Sequence, residues 1–251
     1  FSPNGKRLAY AAKVVDNWSV VVDGKEEMQY DWVEKFVFSP DSKRVAYGAK
    51  KDDTWFVVAD REEGKRYDLI QTPVFSQDNK CLAYSVGVGD KWSVVLNGKE
   101  GKFYDLVYPP IFSPDSMRVA YVASERHKRF VVVNGKEGKH YDWVELPLFS
   151  PDSKQIAYVA LTGKKWLVVV DGKAGKQFDS ILKGSLIFSP DSRRLAYAVT
   201  LDGKWQVVVN GEHGRLYDEI IGGKIIFDSS DNLHYLTQKG NEIYLVEEKI
   251  K

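Results

Sequence analysis

The sequence has a single cysteine, Cys81, among its 251 residues. It therefore forms no disulfide within the chain, so burial and strand pairing must hold the fold, and the redox compartment stays open. No run of about 20 apolar residues occurs, which excludes a membrane-spanning helix. Neither sign of charge is in excess, because 36 Lys and Arg face 35 Asp and Glu, for a formal net charge of +1. We therefore expect no nucleic-acid partner.

Motifs for catalysis and metal binding are also missing. A nucleophile elbow of the GxSxG type, a P-loop and a GxGxxG that opens a helix do not occur. The four histidines fall at different repeat positions, without a cysteine or a second histidine at ligand spacing; they are His127, His140, His213 and His234. We predict no catalytic residue, no metal and no cofactor, and interpret this chain as a non-enzyme.

What the sequence has in abundance is repetition. The phrase FSPDSKRVAY and its variants begin at Phe1, Phe38, Phe75, Phe112, Phe149 and Phe188, with a degraded copy at Phe227. We predict a single domain over 1–251 with repeats at 1–37, 38–74, 75–111, 112–148, 149–187, 188–226 and 227–251, the last incomplete. Because the chain begins inside a motif, we expect further sequence upstream, and the compartment is not predicted.

Each repeat predicts four antiparallel strands. In the copy at 112–148, the first strand ends at Phe112 and the second covers residues 118–123, rich in β-branched and aromatic side chains. The third strand ends at Asn134-Gly135, a dipeptide suited to a type I′ turn, and a fourth is predicted through residues 139–144. The Val-rich third strands do not alternate apolar with polar residues, which predicts cover on both faces.

These features predict an all-β fold, a seven-bladed β-propeller of four-stranded antiparallel blades whose last blade is three-stranded. A six-bladed propeller with spare ends is the alternative. The phrase from Phe38-Ser39-Pro40-Asp41 to Arg44-Val45-Ala46-Tyr47 resembles the WD-like repeat of TolB-type propellers, and it recurs along the whole chain. A second element, NGKEGKxYD, marks a distinct branch. The resemblance implies a partner-binding platform or a gating domain attached to a peptidase.

Recurrent polar and aromatic residues have structural interpretations. One aspartate series lies in the tight turns and is expected to accept backbone N–H groups: Asp41, Asp78, Asp115, Asp152 and Asp191. A second series is expected to tie neighbouring blades or to reach Lys and Arg: Asp31, Asp68, Asp105, Asp142, Asp179 and Asp218. Aromatic residues begin the third strands: Trp18, Trp55, Trp92, Trp166 and Trp205, with Phe130 in the fourth copy. The Lys-rich tight-turn face predicts a mixed-sign solvated surface, with an anion platform as the alternative.

Function is expected where the copies differ, in the segments that follow each YD strand on the opposite face, around the mouth of the central channel. The varied side chains there predict a patch of anchors and polar contacts: Trp32, Glu34, Lys35, Gln71, Tyr108, Trp143, Glu145, Lys183 and Lys224. For Trp32 and Trp143, packing beneath the crossovers is the preferred interpretation.

The leading hypothesis is a noncatalytic scaffold that recognises a protein or peptide through this loop face. One alternative is a substrate-gating propeller domain of a larger hydrolase or peptidase, and another is a carbohydrate-active propeller. The incomplete seventh blade also predicts self-association, because an unpaired edge strand invites pairing.

Overall fold

A computed structural model describes residues 1–250, which form strands and turns and contain no helix. They build seven antiparallel sheets in chain order, called blades 1 to 7 here. The all-β class and the count of seven blades are thereby confirmed, against the six-bladed alternative. The chain divides into two compact units, Phe1–Gly138 and Lys139–Lys251, and each is described by itself. The organisation as one domain stays a prediction.

The first unit contains blades 1 to 4. Blade 1 comprises β1 (Ala9–Val14), β2 (Asn17–Val22) and β3 (Lys25–Tyr30). Blade 2 comprises β4 (Trp32–Phe38), β5 (Val45–Lys51), β6 (Thr54–Ala59) and β7 (Glu62–Glu63). Blade 3 comprises β8 (Leu69–Ile70), β9 (Val74–Phe75), β10 (Leu82–Val88), β11 (Lys91–Leu96) and β12 (Lys99–Glu100). Blade 4 comprises β13 (Leu106–Val107), β14 (Ile111–Phe112), β15 (Val119–Glu125), β16 (Lys128–Val133) and β17 (Lys136–Glu137).

The second unit contains blades 5 to 7. Blade 5 comprises β18 (Trp143–Val144), β19 (Leu148–Phe149), β20 (Ile156–Thr162), β21 (Lys165–Val170) and β22 (Lys173–Phe178). Blade 6 comprises β23 (Ser180–Ile181), β24 (Ile187–Phe188), β25 (Leu195–Leu201), β26 (Lys204–Val209) and β27 (Glu212–His213). Blade 7 comprises β28 (Glu219–Phe227), β29 (Asn232–Lys239) and β30 (Glu242–Lys249).

The first strand of a blade is interrupted in the middle. In blade 3, β8 and β9 both pair with β10, through Ile70 opposite Val86 and Val74 opposite Ala83. Pro73 lies between the two pieces and has no N–H to give to the ladder. In blade 2 the strand is continuous but shifts register between Glu34 and Val37. Each first strand therefore carries a bulge that releases a few residues from regular pairing.

This pairing corrects the predicted course of the fourth strand through residues 139–144. Trp143 and Val144 pair with Leu161 and Ala160 of β20, so they belong to the first strand of blade 5. The cause is that the N–H of Asp142 donates to the carbonyl of Leu161, so pairing with β20 begins directly at Asp142. The segments read as crossovers in the sequence are therefore first strands.

The terminal blades have three strands each. Blade 7 ends with β30, which confirms the three-stranded last blade, and blade 1 consists of β1, β2 and β3. On β30 three neighbouring apolar side chains are exposed, Ile243 at 66%, Tyr244 at 41% and Leu245 at 58%.

Within each unit the core lies between consecutive blades, where the third strands are covered on both faces as predicted. In β6, Phe56 and Val58 pack with Tyr30 of blade 1, whereas Val57 packs with Tyr84 of blade 3. Aromatic pairs with one ring from each blade occupy these layers, such as Tyr30 and Tyr47 at 6.3 Å between ring centroids. Edge-to-face pairs of this kind add to the stabilisation from buried area.

At the tight-turn end, an arginine joins neighbouring blades. Arg44 Nε donates to Asp60 at 2.6 Å within blade 2, and its NH1 donates to the carbonyl of Asn79 in blade 3 at 2.8 Å. Its guanidinium also lies over the ring of Phe75, 5.0 Å from the centroid. The turn series of aspartates behaves as expected, since Asp41 accepts from the Ser39 hydroxyl at 2.6 Å and from the turn backbone.

The strand series of aspartates ties blades together at the opposite end, which confirms its structural interpretation. Asp105 accepts from Lys91 Nζ at 2.6 Å and from the backbone N–H of Arg126, in the next blade, at 2.8 Å. These two donors hold the pKa of Asp105 below its usual value, Lys91 having the larger effect. The bonds fix the loops between second and third strands beside the interrupted first strands.

Candidate binding site

The predicted binding residues lie at or beside the first-strand interruptions, one group per blade. In blade 2, Trp32 and Glu34 still pair with β5, at Lys50 and Gly48, and Lys35 then bulges out with a φ of +59°. Bulges re-aim side chains and leave backbone groups unpaired, so they suit recognition. The sequence copies therefore differ where the ladder imposes the fewest constraints.

Trp32 is half packed and half exposed. Its ring meets Trp18 edge to face at 5.1 Å between centroids, and its Nε1 lies 3.4 Å from Glu34 Oε2. It remains 44% exposed, and Trp143 in the second unit remains 41% exposed. Trp32 therefore packs against Trp18 with part of its side chain and leaves the rest accessible to solvent.

Lys35 connects blade 2 to blade 3. Its Nζ donates to the carbonyl of Ile70 at 2.8 Å and contacts Glu34 at 2.6 Å. The same ammonium lies 5.4 Å from the ring centroid of Trp55, within reach of a cation–π interaction. Glu34 and Lys35 are thus held in place together and neutralise each other.

Gln71 and Tyr108 continue the row into blades 3 and 4. The N–H of Gln71 bonds the carbonyl of Ser85 at 2.8 Å, while its side-chain Oε1 is buried with no hydrogen-bond partner among residues 1–250. The N–H of Tyr108 bonds the carbonyl of Val122, and the guanidinium of Arg129 lies 5.2 Å from the Tyr108 ring centroid. We call Trp32, Glu34, Lys35, Gln71 and Tyr108 the first-strand row.

Sequence reasoning missed Arg129 as part of this row. Arg129 pairs with Ser124, as Trp55 pairs with Lys50 and Trp92 with Gly87. The fourth copy therefore has Arg129 at the tryptophan position, and the assignment of Phe130 to it is wrong. The signal was present in the sequence, since Arg129 follows Phe112 at the distance at which Trp55 follows Phe38, and the strand register confirms this equivalence.

In the second unit, Glu145 and Lys183 interact. The N–H of Glu145 bonds the carbonyl of Val159, and its side chain is half-buried. Burial raises the pKa of the Glu145 carboxyl, and the charge of Lys183 partly opposes that rise. Lys224 is exposed within β28. The charge interaction connects Glu145 and Lys183.

The metal-ligand residue types and two histidines of residues 1–250 have the following arrangement. No group of three or more His, Cys, Asp or Glu at metal-binding distances occurs in residues 1–250. His234 Nδ1 lies 2.8 Å from Asp228, and His213 Nδ1 lies 3.2 Å from Gln206. Neither histidine is hydrogen-bonded to a serine or cysteine side chain in the described part of the chain. Residues 1–250 contain no helix, and therefore no helix long and apolar enough to cross a membrane.

Comparison with protein-family models found no match for this chain, and none of the curated proteins matches it. Among solved structures, TolB from Acinetobacter baumannii is similar at 15% identity and a TM-score of 0.40, over 84% of this chain and 65% of that one. The β-propeller domain of the Trilobed protease from Pyrococcus furiosus is similar at 13% identity and a TM-score of 0.46, over 98% and 92% of the two chains. Acylaminoacyl peptidase from Pyrococcus horikoshii is similar at 13% identity and a TM-score of 0.40, over 98% of this chain and 50% of that one.

The chain thus spans less than two thirds of the TolB and acylaminoacyl peptidase chains. At these identities and scores, the assignment of seven propeller-type blades rests on the strand pairing of this chain itself.

Proposed function

We propose that this chain is a noncatalytic propeller scaffold that recognises a protein or peptide through the loop face. The observation that supports this is the contact-linked first-strand row of the first unit. It combines an exposed indole, a cation-covered tyrosine ring and a fixed Glu34–Lys35 pair. Aromatic anchors beside satisfied polar groups are typical of protein interfaces.

The accessible anchors of the row are its aromatic rings, because the side-chain oxygen of Gln71 is buried and out of reach of a ligand. Lys35 Nζ already donates to the carbonyl of Ile70, and the guanidinium of Arg129 already lies over the ring of Tyr108. A peptide that lies along the row would pack apolar side chains on the exposed ring of Trp32 and on the ring of Tyr108.

The test is selection of ligands from a random peptide library displayed on phage, followed by anisotropy titration of labelled selected peptides. Trp32→Ala and Tyr108→Ala should each weaken binding by about tenfold, the usual effect of losing an interface anchor. Met117→Ala is the matched control, because Met117 is a large apolar residue, 80% exposed, in a tight turn at the other end of blade 4. Equal affinity of all three variants would refute the proposal.

A second proposal concerns the open edge of blade 7. Because β30 exposes Ile243, Tyr244 and Leu245 beside unpaired backbone groups, we propose that this edge pairs with a strand of another copy. Leu245→Lys should then shift the mass measured by light scattering from dimer to monomer. A wild-type chain that is monomeric at all concentrations would exclude this.

A further inference from the structure

Two clefts built on the same plan open at the tight-turn ends of the blades. One lies between blades 2 and 3 with a volume of about 480 Å³, and the other between blades 5 and 6 with about 470 Å³. Equivalent residues line them, namely Val57 and Val168, Leu82 and Leu195, Tyr84 and Tyr197, and Asn97 and Asn210. Differences between the clefts therefore reflect side chains and not backbone architecture.

The two clefts differ in charge. The cleft between blades 2 and 3 is lined by three carboxylates and two cations, Asp60, Glu62, Glu63, Arg44 and Lys80. The cleft between blades 5 and 6 is lined by four cations and no carboxylate; the cations are Lys173, Lys176, Arg193 and Arg194. Lys173 and Ala174 stand where the first cleft has Glu62 and Glu63. An anion would be repelled from one cleft and attracted to the other.

Two of the four cations in the cleft between blades 5 and 6 have an ion-pair partner among residues 1–250 and two have none. Arg194 is committed to Asp231 at 2.6 Å, and Arg193 is 3.8 Å from Asp191 and remains largely exposed. Lys173 and Lys176 form no ion pair with any residue of 1–250. Lys173 and Lys176 are therefore free to receive a ligand, and Arg193 is held only by its 3.8 Å contact with Asp191.

A third cleft, between blades 1 and 2, contains a carboxylate of the protein itself beside the equivalent tyrosine. There Glu27 lines the cleft, and its side chain is only 5% exposed. Its carboxylate accepts from the Tyr47 hydroxyl at 3.0 Å and from Arg61 Nε at 3.1 Å. The molecule thus seats a carboxylate between a tyrosine hydroxyl and a cation.

The cleft between blades 5 and 6 has the same tyrosine without the carboxylate. Tyr197 occupies the position of Tyr47, and Gly175 occupies the position of Glu27. The Tyr197 hydroxyl has no hydrogen-bond partner among the described residues. Below it lies an apolar floor, in which Phe178 replaces the tyrosine of most other copies and is 6.1 Å from the Tyr197 ring centroid.

We propose that this cleft binds a carboxylate carried on an aromatic or aliphatic stem, which takes the place that Glu27 fills between blades 1 and 2. The Tyr197 hydroxyl donates to the carboxylate, Lys173, Lys176 and Arg193 supply the countercharge, and the stem packs on Phe178. The volume of about 470 Å³ suits a small ligand or one side chain of a peptide. The carboxylate can come from a free organic acid or from an acidic peptide, and the test separates these sources.

The test is an amide NMR titration with hydrocinnamate, and with hydrocinnamyl alcohol as the neutral isostere. Hydrocinnamate should shift the amide signals of Gly175, Tyr197 and Gly211, and the alcohol should not. Added salt should weaken the effect, because exposed charge pairs are screened. A capped acidic peptide with one phenylalanine tests the second source: tighter binding of the peptide assigns the site to a protein partner, and binding of the free acid alone assigns it to a small molecule.

Charge-reversal variants complete the test. Lys173→Glu restores the charge found at Glu62 and should raise the Kd for hydrocinnamate by about tenfold. Lys136→Glu is the matched control, since Lys136 holds the same repeat position in blade 4 and lies outside the cleft lining. Unchanged binding by the Lys173 variant, or equal shifts with acid and alcohol, would overturn the proposal. Because thermal melting checks the fold of each variant, loss of binding by an unfolded protein would be recognised.

Discussion

The hydroxyl of Tyr104 in blade 3 donates a hydrogen bond to the carboxylate of Glu137 in blade 4, at 3.1 Å. Lys102 Nζ reaches the same carboxylate at 2.8 Å. In the next repeat, Tyr141 and Lys139 are the equivalents of Tyr104 and Lys102. The equivalent of Glu137, however, is Ala174, which has no carboxylate. The Tyr141 hydroxyl is buried without a partner among residues 1–250.

Ala174→Glu should therefore stabilise the protein. The new carboxylate would accept from the Tyr141 hydroxyl and pair with Lys139, which is expected to raise the free energy of unfolding by about 1 kcal/mol. Urea denaturation measures this, and Ala174→Gln separates the hydrogen bond from the charge. A variant less stable than wild type would show that the position has no room for the glutamate.

Arg44→Lys should destabilise the contact between blades 2 and 3. Lysine cannot bond Asp60 and the Asn79 carbonyl while stacking on Phe75, as the planar guanidinium does. We expect a loss of about 1–2 kcal/mol in the free energy of unfolding. Arg193→Lys serves as control, since Arg193 has only one distant partner, and it should unfold like the wild type. Equal losses in both variants would contradict the bridging role of Arg44.

Glu145 should make stability depend on pH. Burial raises its pKa in the folded state above the unfolded value of about 4.3, so the ionised carboxylate opposes folding. This cost is present above the folded pKa and disappears as the pH falls to the unfolded pKa. Glu145→Gln should therefore be more stable than wild type at neutral pH and equal to it near pH 4, as measured by urea denaturation at both pH values. An advantage that persists unchanged at the lower pH would point to packing instead of charge.

Lys183→Ala should raise the pKa of Glu145 further, because the Lys183 charge favours the ionised form. Carbon-detected NMR titration of the carboxyl group measures the shift, and Lys224→Ala is the control on a neighbouring first strand. An unchanged Glu145 pKa in the Lys183 variant would mean that the two side chains do not interact.

Gly214→Ala should weaken the contact of the fourth strand of blade 6 with its neighbour. A Cβ there would lie 2.8 Å from the carbonyl oxygen of Val207, a backbone atom that cannot move aside cheaply. We expect a loss of about 1–3 kcal/mol, the range for overpacking. A Cβ added at Gly175 would lie 3.1 Å from the carbonyl oxygen of Val168, so Gly175→Ala should lose less stability. Thermal melting of both variants measures the two losses. The reverse order would contradict the steric explanation.

The sequence predicted the blades because their signals are local or periodic. Val-rich third strands and turn aspartates recur in most copies, Asn-Gly turns recur in three, and burial of Val57 and Val58 on opposite faces follows from strand geometry. The binding role of the variable residues stays a prediction, and the structure adds that contacts link Trp32, Glu34 and Lys35 through Ile70 to Gln71. Arg129 was missed because an aromatic residue was expected at this position, although the repeat spacing already places Arg129 there.

The sequence by itself therefore determined the repeat, the all-β class and the residues that differ between copies. Only the tertiary structure decided that the segments after each YD strand are interrupted first strands, because pairing such as Val144 with Ala160 joins different repeats. It also decided the charge of each cleft, since Lys173 and Arg193 come from neighbouring blades and meet only when these pack. The repeat pattern predicts which residues each copy buries. The contacts between copies depend on how neighbouring blades pack, which the sequence of one copy does not determine.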